Sequence, residues 1–180
     1  MWYAVWVRTG EEEKLQKICQ NMIIDSQNEE ACFLPKYERA WKIKGKWEKR
    51  QEILFPGYLF FATEKPVELA GKLKQLPEFA QLLGDEEGLI PLYKHEVAFF
   101  KKYTNDNYVL EMSMGFLECD RLVITEGALK DYEGKVVHID RHRRLATLEL
   151  EFFGRQVNMT VGVEGCEEGL NGGIALYQKL

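Results

Sequence analysis

The sequence is poor in the residues that metals, disulfides and catalysis require. Its four cysteines, Cys19, Cys32, Cys119 and Cys166, include no CxxC pair, which points away from a zinc ribbon and from a disulfide scaffold and toward reduced, cytoplasmic thiols. There are three histidines. His138 and His142 stand four apart, a spacing that unites side chains on a helix but separates them by roughly 13 Å along a strand. Their segment reads as strand and turn, so no metal and no other cofactor is expected. The chain contains no Walker phosphate loop, no HExxH and no nucleophile elbow, and His95 falls in an amphipathic helical stretch, so no enzyme activity is expected. No apolar run approaches the roughly 20 residues that span a bilayer, and the opening "MWYAVWVRTG" has no basic leader. Membrane insertion and export are therefore not expected, and the expected compartment is the cytoplasm.

What is present is enough apolar material for real cores: 46% hydrophobic and 12% aromatic residues in a chain of 180. That length fits one ordinary domain or two small ones. A net charge of -5 argues against a bulk nucleic-acid coat, although it says nothing about where basic residues gather. Two places gather them. Residues 35 to 50, "PKYERAWKIKGKWEKR", hold seven Lys or Arg against two Glu, a local net of +5. The second is "HIDRHRR", His138 to Arg144.

The opening "WYAVWVR" is aromatic and β-branched and predicts a strand. A helix follows, with Thr9 and Glu12 at capping-box spacing and Leu15, Ile18, Cys19, Met22 and Ile23 on one face. "ACFLPKYERAWKIKG" and "WEKRQEILFPGYLFFAT" predict a long β-hairpin with its tip near Gly45, interrupted at "FPG" because Pro56 cannot donate a ladder hydrogen bond. Pro66 opens a second helix carrying Leu69, Ala70, Leu73 and Leu76. "GLIPLY" gives a strand, and residues 94 to 103 a third helix with Val97 and Phe100 inward. The order implies an antiparallel sheet with helices on one side. After a connection at residues 107 to 116, "DRLVI", "GKVVHID", "LATLELEF" and "RQVNMTV" are closely spaced strands of a small barrel. The expected architecture is α+β over residues 1–106 followed by a small all-β domain over 117–180, the last part of which is a glycine-rich tail.

Two motifs carry a family resemblance. "WYAVWVRTGEEEK" with "ILFPGYLFF" resembles the N-terminal (NGN) domain of the NusG family, and "CDRLVITEGALKDYEGKVVHID", with Asp120, Gly127, Tyr132 and Gly134 at pattern positions, resembles a KOW motif, an SH3-like barrel. Cys119 stands where glycine is usual and Ala128 where proline commonly follows. The resemblance implies a transcription elongation factor that binds RNA polymerase at the clamp helices of the largest catalytic subunit through an apolar depression of the NGN domain. The KOW domain then recruits a second partner, in housekeeping members a termination factor or a small-subunit ribosomal protein. With "RTGEEEK" and the arginine loop, the chain looks like the LoaP paralogues, which act in processive antitermination.

These residues also have a physical reading. An apolar depression for a coiled coil needs a few exposed aromatic anchors on a rigid sheet; family position selects Phe55, Pro56 and Tyr58, with Trp2 or Trp6 beside them. Lys42, Lys44, Lys46 and Lys49 on a projecting hairpin, interleaved with Tyr37, Trp41 and Trp47, suit the phosphates or unpaired bases of non-template DNA at an upstream fork. Arg141, Arg143 and Arg144, supported by Lys130, Lys135, His142 and Arg155, form a basic loop suited to structured nascent RNA. A monomer is expected. Three readings stay open: an RNA-guided antitermination factor, a general NusG factor whose KOW domain binds a protein, and a stand-alone KOW RNA-binding protein.

Overall fold

The computed structural model describes residues 1–22, 30–76, 88–118 and 121–165. Ile23, Cys119, Asp120 and the tail from Cys166 onward lie outside them. The chain divides into two compact units, one of residues 1–36, 53–108 and 151–155, the other of residues 37–52, 109–150 and 156–180. The structure is mixed α+β, with three sheets among the described residues.

The first unit is built on a four-stranded sheet in the order β2-β5-β1-β6, from β1 (Trp2–Trp6), β2 (Ala31–Phe33), β5 (Tyr58–Ala62) and β6 (Leu89–Pro91). Strand β1 runs antiparallel to β5, with Trp2 opposite Ala62, Ala4 opposite Phe60 and Trp6 opposite Tyr58. Strand alternation therefore puts Trp2, Ala4, Trp6, Tyr58 and Phe60 on one face, and Tyr3, Val5, Leu59 and Phe61 on the other. Helices α1 (Glu12–Met22) and α2 (Pro66–Lys74) cover the second face, where Leu15, Cys19, Leu69, Leu73 and Leu76 pack with Val5, Leu59 and Phe61. Cys32 joins that core, and its burial pushes the thiol pKa upward. Met22, expected on the apolar face of α1, is exposed.

Helix α3 (Lys94–Tyr103) packs on the first face, not beside the other two. Its Phe100 lies 5.5 Å from Phe60 and 5.9 Å from Trp2 between ring centroids. Helices thus cover both faces of the sheet, which corrects the one-sided arrangement expected from element order. The sign is in the strand itself: "YLFF" is a continuous apolar run, and such a run marks a strand buried on both faces.

In the second unit, β3 (Lys36–Ile43) and β4 (Lys46–Ile53) form the expected hairpin, joined to the short β7 (Val109–Leu110) in the order β4-β3-β7. The tip is where it is expected. Lys44 and Gly45 have φ of 48° and 83°, positive at both positions as a type I′ turn requires. The remaining strands form a five-stranded sheet in the order β10-β11-β12-β8-β9, from β8 (Ser113–Glu118), β9 (Arg121–Glu126), β10 (Val136–Asp140), β11 (Leu145–Phe152) and β12 (Arg155–Glu164). A 3-10 helix, Ala128–Lys135, precedes β10. In β11 the buried Ala146, Leu148 and Leu150 alternate with Thr147 and the exposed Glu149, the period-2 pattern of a strand buried on one face.

Hairpin and sheet meet at a glycine. A Cβ added to Gly162 of β12 would stand 2.2 Å from the Glu38 carbonyl oxygen and 3.1 Å from Arg39 Cα, so only glycine permits this backbone approach. Gly162→Ala is expected to destabilise the protein by about 1–3 kcal/mol, the cost of overpacking, read as a lower urea midpoint. A second expectation concerns alkali. Burial, and next the Glu52 carboxylate that accepts its hydroxyl proton at 2.8 Å, push the Tyr37 pKa up to about 12. Both folded and unfolded forms carry a neutral Tyr37 below pH ~10, so its contribution is complete there and is lost as pH rises from about 10 through 12. Tyr37→Phe should flatten that part of the stability profile.

Candidate functional site

The aromatic face of the first unit is organised by a buried carboxylate. Glu12 sits at the first turn of α1, where the spacing with Thr9 predicts a capping box. Its carboxylate instead accepts from the Gly57 amide at 2.8 Å and the Gly10 amide at 2.6 Å. The "FPG" turn is thereby tied to the start of α1. Val7 N–H also donates to the Gly57 carbonyl at 2.8 Å, and Gly57 has φ of 84°, so a side chain there would be strained. The turn fixes where Phe55, Pro56 and Tyr58 stand.

Those residues differ in availability. Phe55 is 4% exposed and lies among Phe60, Phe100, Phe152 and Phe153 at centroid distances of 5.0–5.9 Å. Trp2 is half-buried, with Phe33 at 4.9 Å and Tyr108 at 5.8 Å. Pro56 is exposed, Tyr58 is half-buried and Trp6 is 55% exposed. The exposed residues among these are thus Trp6 and Pro56, with Tyr58 half-buried, while Phe55 belongs to the buried aromatic cluster.

Residues that sequence reasoning does not select complete this face. Phe153 stacks on Tyr58 at 4.7 Å with 13° between planes, and Phe152 lies 5.4 Å from Phe99. Phe153 and Gly154 have φ of 55° and 68°. A bulky side chain at positive φ is an outlier that surrounding contacts must hold. The Phe153 amide donates to buried Glu96 at 2.5 Å, and the other Glu96 oxygen accepts from Tyr93 N–H at 2.7 Å. Two aromatic residues before a glycine, in a turn that should be polar, are the available signal. Arg155, expected with the RNA-binding arginines, instead donates to the Tyr58 hydroxyl at 2.7 Å in this first unit.

In the second unit the hairpin's rings divide between its faces. Trp41 and Lys42 are consecutive in β3 and so point oppositely. Trp41 carries Arg39 at 4.7 Å and Arg50 at 5.7 Å. Arg39 is also paired with Glu52 at 3.0 Å. On the other face the Lys42 ammonium lies 5.7 Å from the Trp47 ring, and the Arg144 guanidinium lies 4.1 Å over the same ring. Lys49 stands 3.6 Å from both Glu38 and Glu164, whereas Lys42, Lys44 and Lys46 are exposed.

The Asp140–Arg144 turn is ordered from within. The Asp140 carboxylate accepts from Arg143 N–H at 2.9 Å and lies 3.7 Å from Arg143 Nε. Arg144 has φ of 55°, and its carbonyl accepts from Val163 N–H at 2.9 Å. Arg141, His142 and Arg143 are exposed. Lys130 and Lys135 are exposed on the 3-10 helix. Among the described residues no three His, Cys, Asp or Glu side chains are placed to hold a metal ion, and no helix is long and apolar enough to cross a membrane.

A family model described as "Transcription termination factor nusG" matches residues 1–101, more than half of the chain. The chain belongs to the NusG family. Relatives named transcription termination/antitermination protein NusG include that of Campylobacter jejuni, 23% identical over 163 residues, 89% of this chain and 92% of the relative. The Thermus thermophilus protein of the same name is 26% identical over 167 residues, 86% of this chain and 91% of the relative. The chain is also similar to one in the crystallised MjSpt4:Spt5 complex, conformation B, at 14% identity and a TM-score of 0.35, covering 90% of this chain and 92% of that one. NusG-family proteins are non-enzymatic transcription factors.

The Glu12 anchor generates a prediction for this NusG-family chain. Glu12→Ala leaves a buried amide without its acceptor at a cost of roughly 1–3 kcal/mol. The expected result is a lower denaturation midpoint together with faster hydrogen exchange at Gly57; protection of Gly57 unchanged from the parent would contradict the assignment.

Proposed function

We propose that the protein is a processive antitermination factor of the NusG family, of the LoaP type, that joins RNA polymerase to structured nascent RNA. The observation that carries this reading is the Asp140–Arg144 turn, which offers three exposed basic side chains, Arg141, His142 and Arg143, beside an oriented Arg144. Arginine can hold a phosphate bidentately, pair with a guanine edge or stack on an unpaired base. The five-stranded sheet that carries the turn is read as the KOW barrel. The aromatic face of the first unit is read as the surface for the polymerase clamp helices, with Trp6, Pro56 and Tyr58 as contacts and Phe55 and Trp2 as their support. Lys42, Lys44, Lys46 and Lys49 supply cations for a nucleic-acid strand, and Lys130 and Lys135, before the start of β10, are read as supporting cations. The protein acts without a cofactor.

The test is binding of the full-length protein to labelled structured leader RNAs, with duplex DNA as control, across a salt titration. Hairpin-selective binding that falls at least about tenfold in the Arg141→Ala/Arg143→Ala/Arg144→Ala variant is expected, since removing a specific arginine–base contact costs about 1–3 kcal/mol. Equal, weak binding of RNA and DNA with the same salt slope would mean phosphate attraction alone. A general NusG elongation factor, whose KOW domain binds a ribosomal protein or termination factor, would then be the better reading. In parallel, Trp6→Ala is expected to reduce co-purification with RNA polymerase without lowering stability, because Trp6 is exposed and central interface aromatics carry most of the affinity.

A further inference from the structure

The two basic segments lie far apart in sequence, yet one side chain of each meets the other across an indole ring. We infer that the hairpin tip and the arginine turn form one composite surface that binds a single RNA, with Trp47 as the residue that positions Arg144 within it. This rests on the RNA-binding reading above and extends it to the hairpin, whose lysines then serve RNA and not only DNA.

Three observations converge. The Arg144 guanidinium lies 4.1 Å over Trp47 while its backbone carbonyl is fixed by Val163 N–H, so Arg144 is held at both ends. Lys42 lies over the same ring, and Lys42, Lys44 and Lys46 are exposed around the tip. Third, Glu38 and Glu164 stand beside Lys49, and Asp140 beside Arg143, while Lys42 and Arg144 share the Trp47 ring. An indole orders a cation by its quadrupole without neutralising it. Lys42 and Arg144 thus place two cations at one ring, with Lys44 exposed at the adjacent tip, and together they offer one cationic surface to a phosphate backbone, whereas Lys46, next to Trp47 in β4, points to the opposite face. Trp47 is 39% exposed, and an exposed cation-bearing ring also favours an unpaired base over an uncharged protein surface. Trp41 has the same chemistry on the opposite face and serves as an internal control.

The experiment uses the full-length protein, one RNA hairpin with a single-stranded flank, and single-stranded and duplex DNA of matched length, each titrated at several salt concentrations. Lys42→Ala/Lys44→Ala is expected to reduce the RNA salt slope by about one for each phosphate that is no longer neutralised. Trp47→Ala and Arg144→Ala are expected to weaken RNA binding by similar factors, and the double variant to weaken it by less than the product, since residues that act through one another are not additive. Trp47→Phe should restore most of the affinity, and Trp41→Ala should leave it unchanged. An RNA slope untouched by the lysine variant, or multiplicative effects for Trp47 and Arg144, would overturn the composite surface. If the arginine variant still abolished RNA binding in that case, the RNA-binding reading would stand alone. Parent protein that failed to select RNA over DNA would overturn both.

Discussion

The near-contact of two backbones at Gly162 and Glu38 sets the geometry of the second unit. Because β12 has no side chain at this position, β3 lies directly against it, and the carbonyl of Glu38 occupies the space that any Cβ would fill. Polar contacts then follow from proximity. The Glu38 carboxylate reaches Lys49, and Lys49 also reaches Glu164 two residues beyond Gly162. Elsewhere on the same hairpin, the same seating brings Trp47 to Arg144. A projecting two-stranded hairpin would be marginal by itself. Against β12 it becomes a fixed platform, so its cations occupy defined positions and are not merely averaged over a flexible arm.

The first unit solves a different problem, holding irregular turns against a sheet with helices on both faces. It uses the same device twice. Glu12 accepts from Gly10 and Gly57, and Glu96 accepts from Tyr93 and Phe153. Each carboxylate is buried at the first turn of a helix, where the positive end of the helix dipole favours it, and each takes an amide from a distant turn. Charge-assisted bonds of this kind are stronger than neutral ones. The two acids therefore fix the "FPG" turn and the Phe153–Gly154 turn, and through them the order of Phe55, Tyr58, Phe152 and Phe153. Part of the acidic composition is thus architectural and invisible to a count of net charge.

Local signals are legible in the sequence, and juxtapositions are not. The hairpin tip can be read because Lys44–Gly45 is a turn whose chemistry is local, and α2 because Pro66 and the spacing of Leu69 and Leu73 are local too. Element order does not place α3, although the unbroken "YLFF" run requires a second cover. Phe152 and Phe153 read only as strand and turn, because their partners on the aromatic face stand more than fifty residues away in the chain. The arginines of the turn cluster visibly, but charge alone groups Arg155 with them, and only the structure separates it by its bond to Tyr58. Trp41 and Trp47 look equivalent beside their lysines; strand alternation and Arg144 distinguish them.

An acidic protein can still present a cationic surface if its positive side chains are ordered by something other than acids. Residues 35 to 50 carry +5, which leaves -10 for the rest of the chain, since -5 minus +5 is -10. Salt bridges could order the hairpin, but each would remove one charge from its surface. Arg39 and Lys49 follow that route with Glu52, Glu38 and Glu164. Rings also order cations here: Lys42 and Arg144 lie over Trp47, and Arg39 and Arg50 over Trp41. An aromatic face restricts the cation's position and leaves its full charge outward. The acids elsewhere then act over a distance that salt screens within about 8 Å at physiological ionic strength, so they discourage diffuse attraction to polyanions while leaving short-range pairing intact. A ligand that gains from this arrangement must place its charges on the ordered cations, which is a demand for shape as well as for charge.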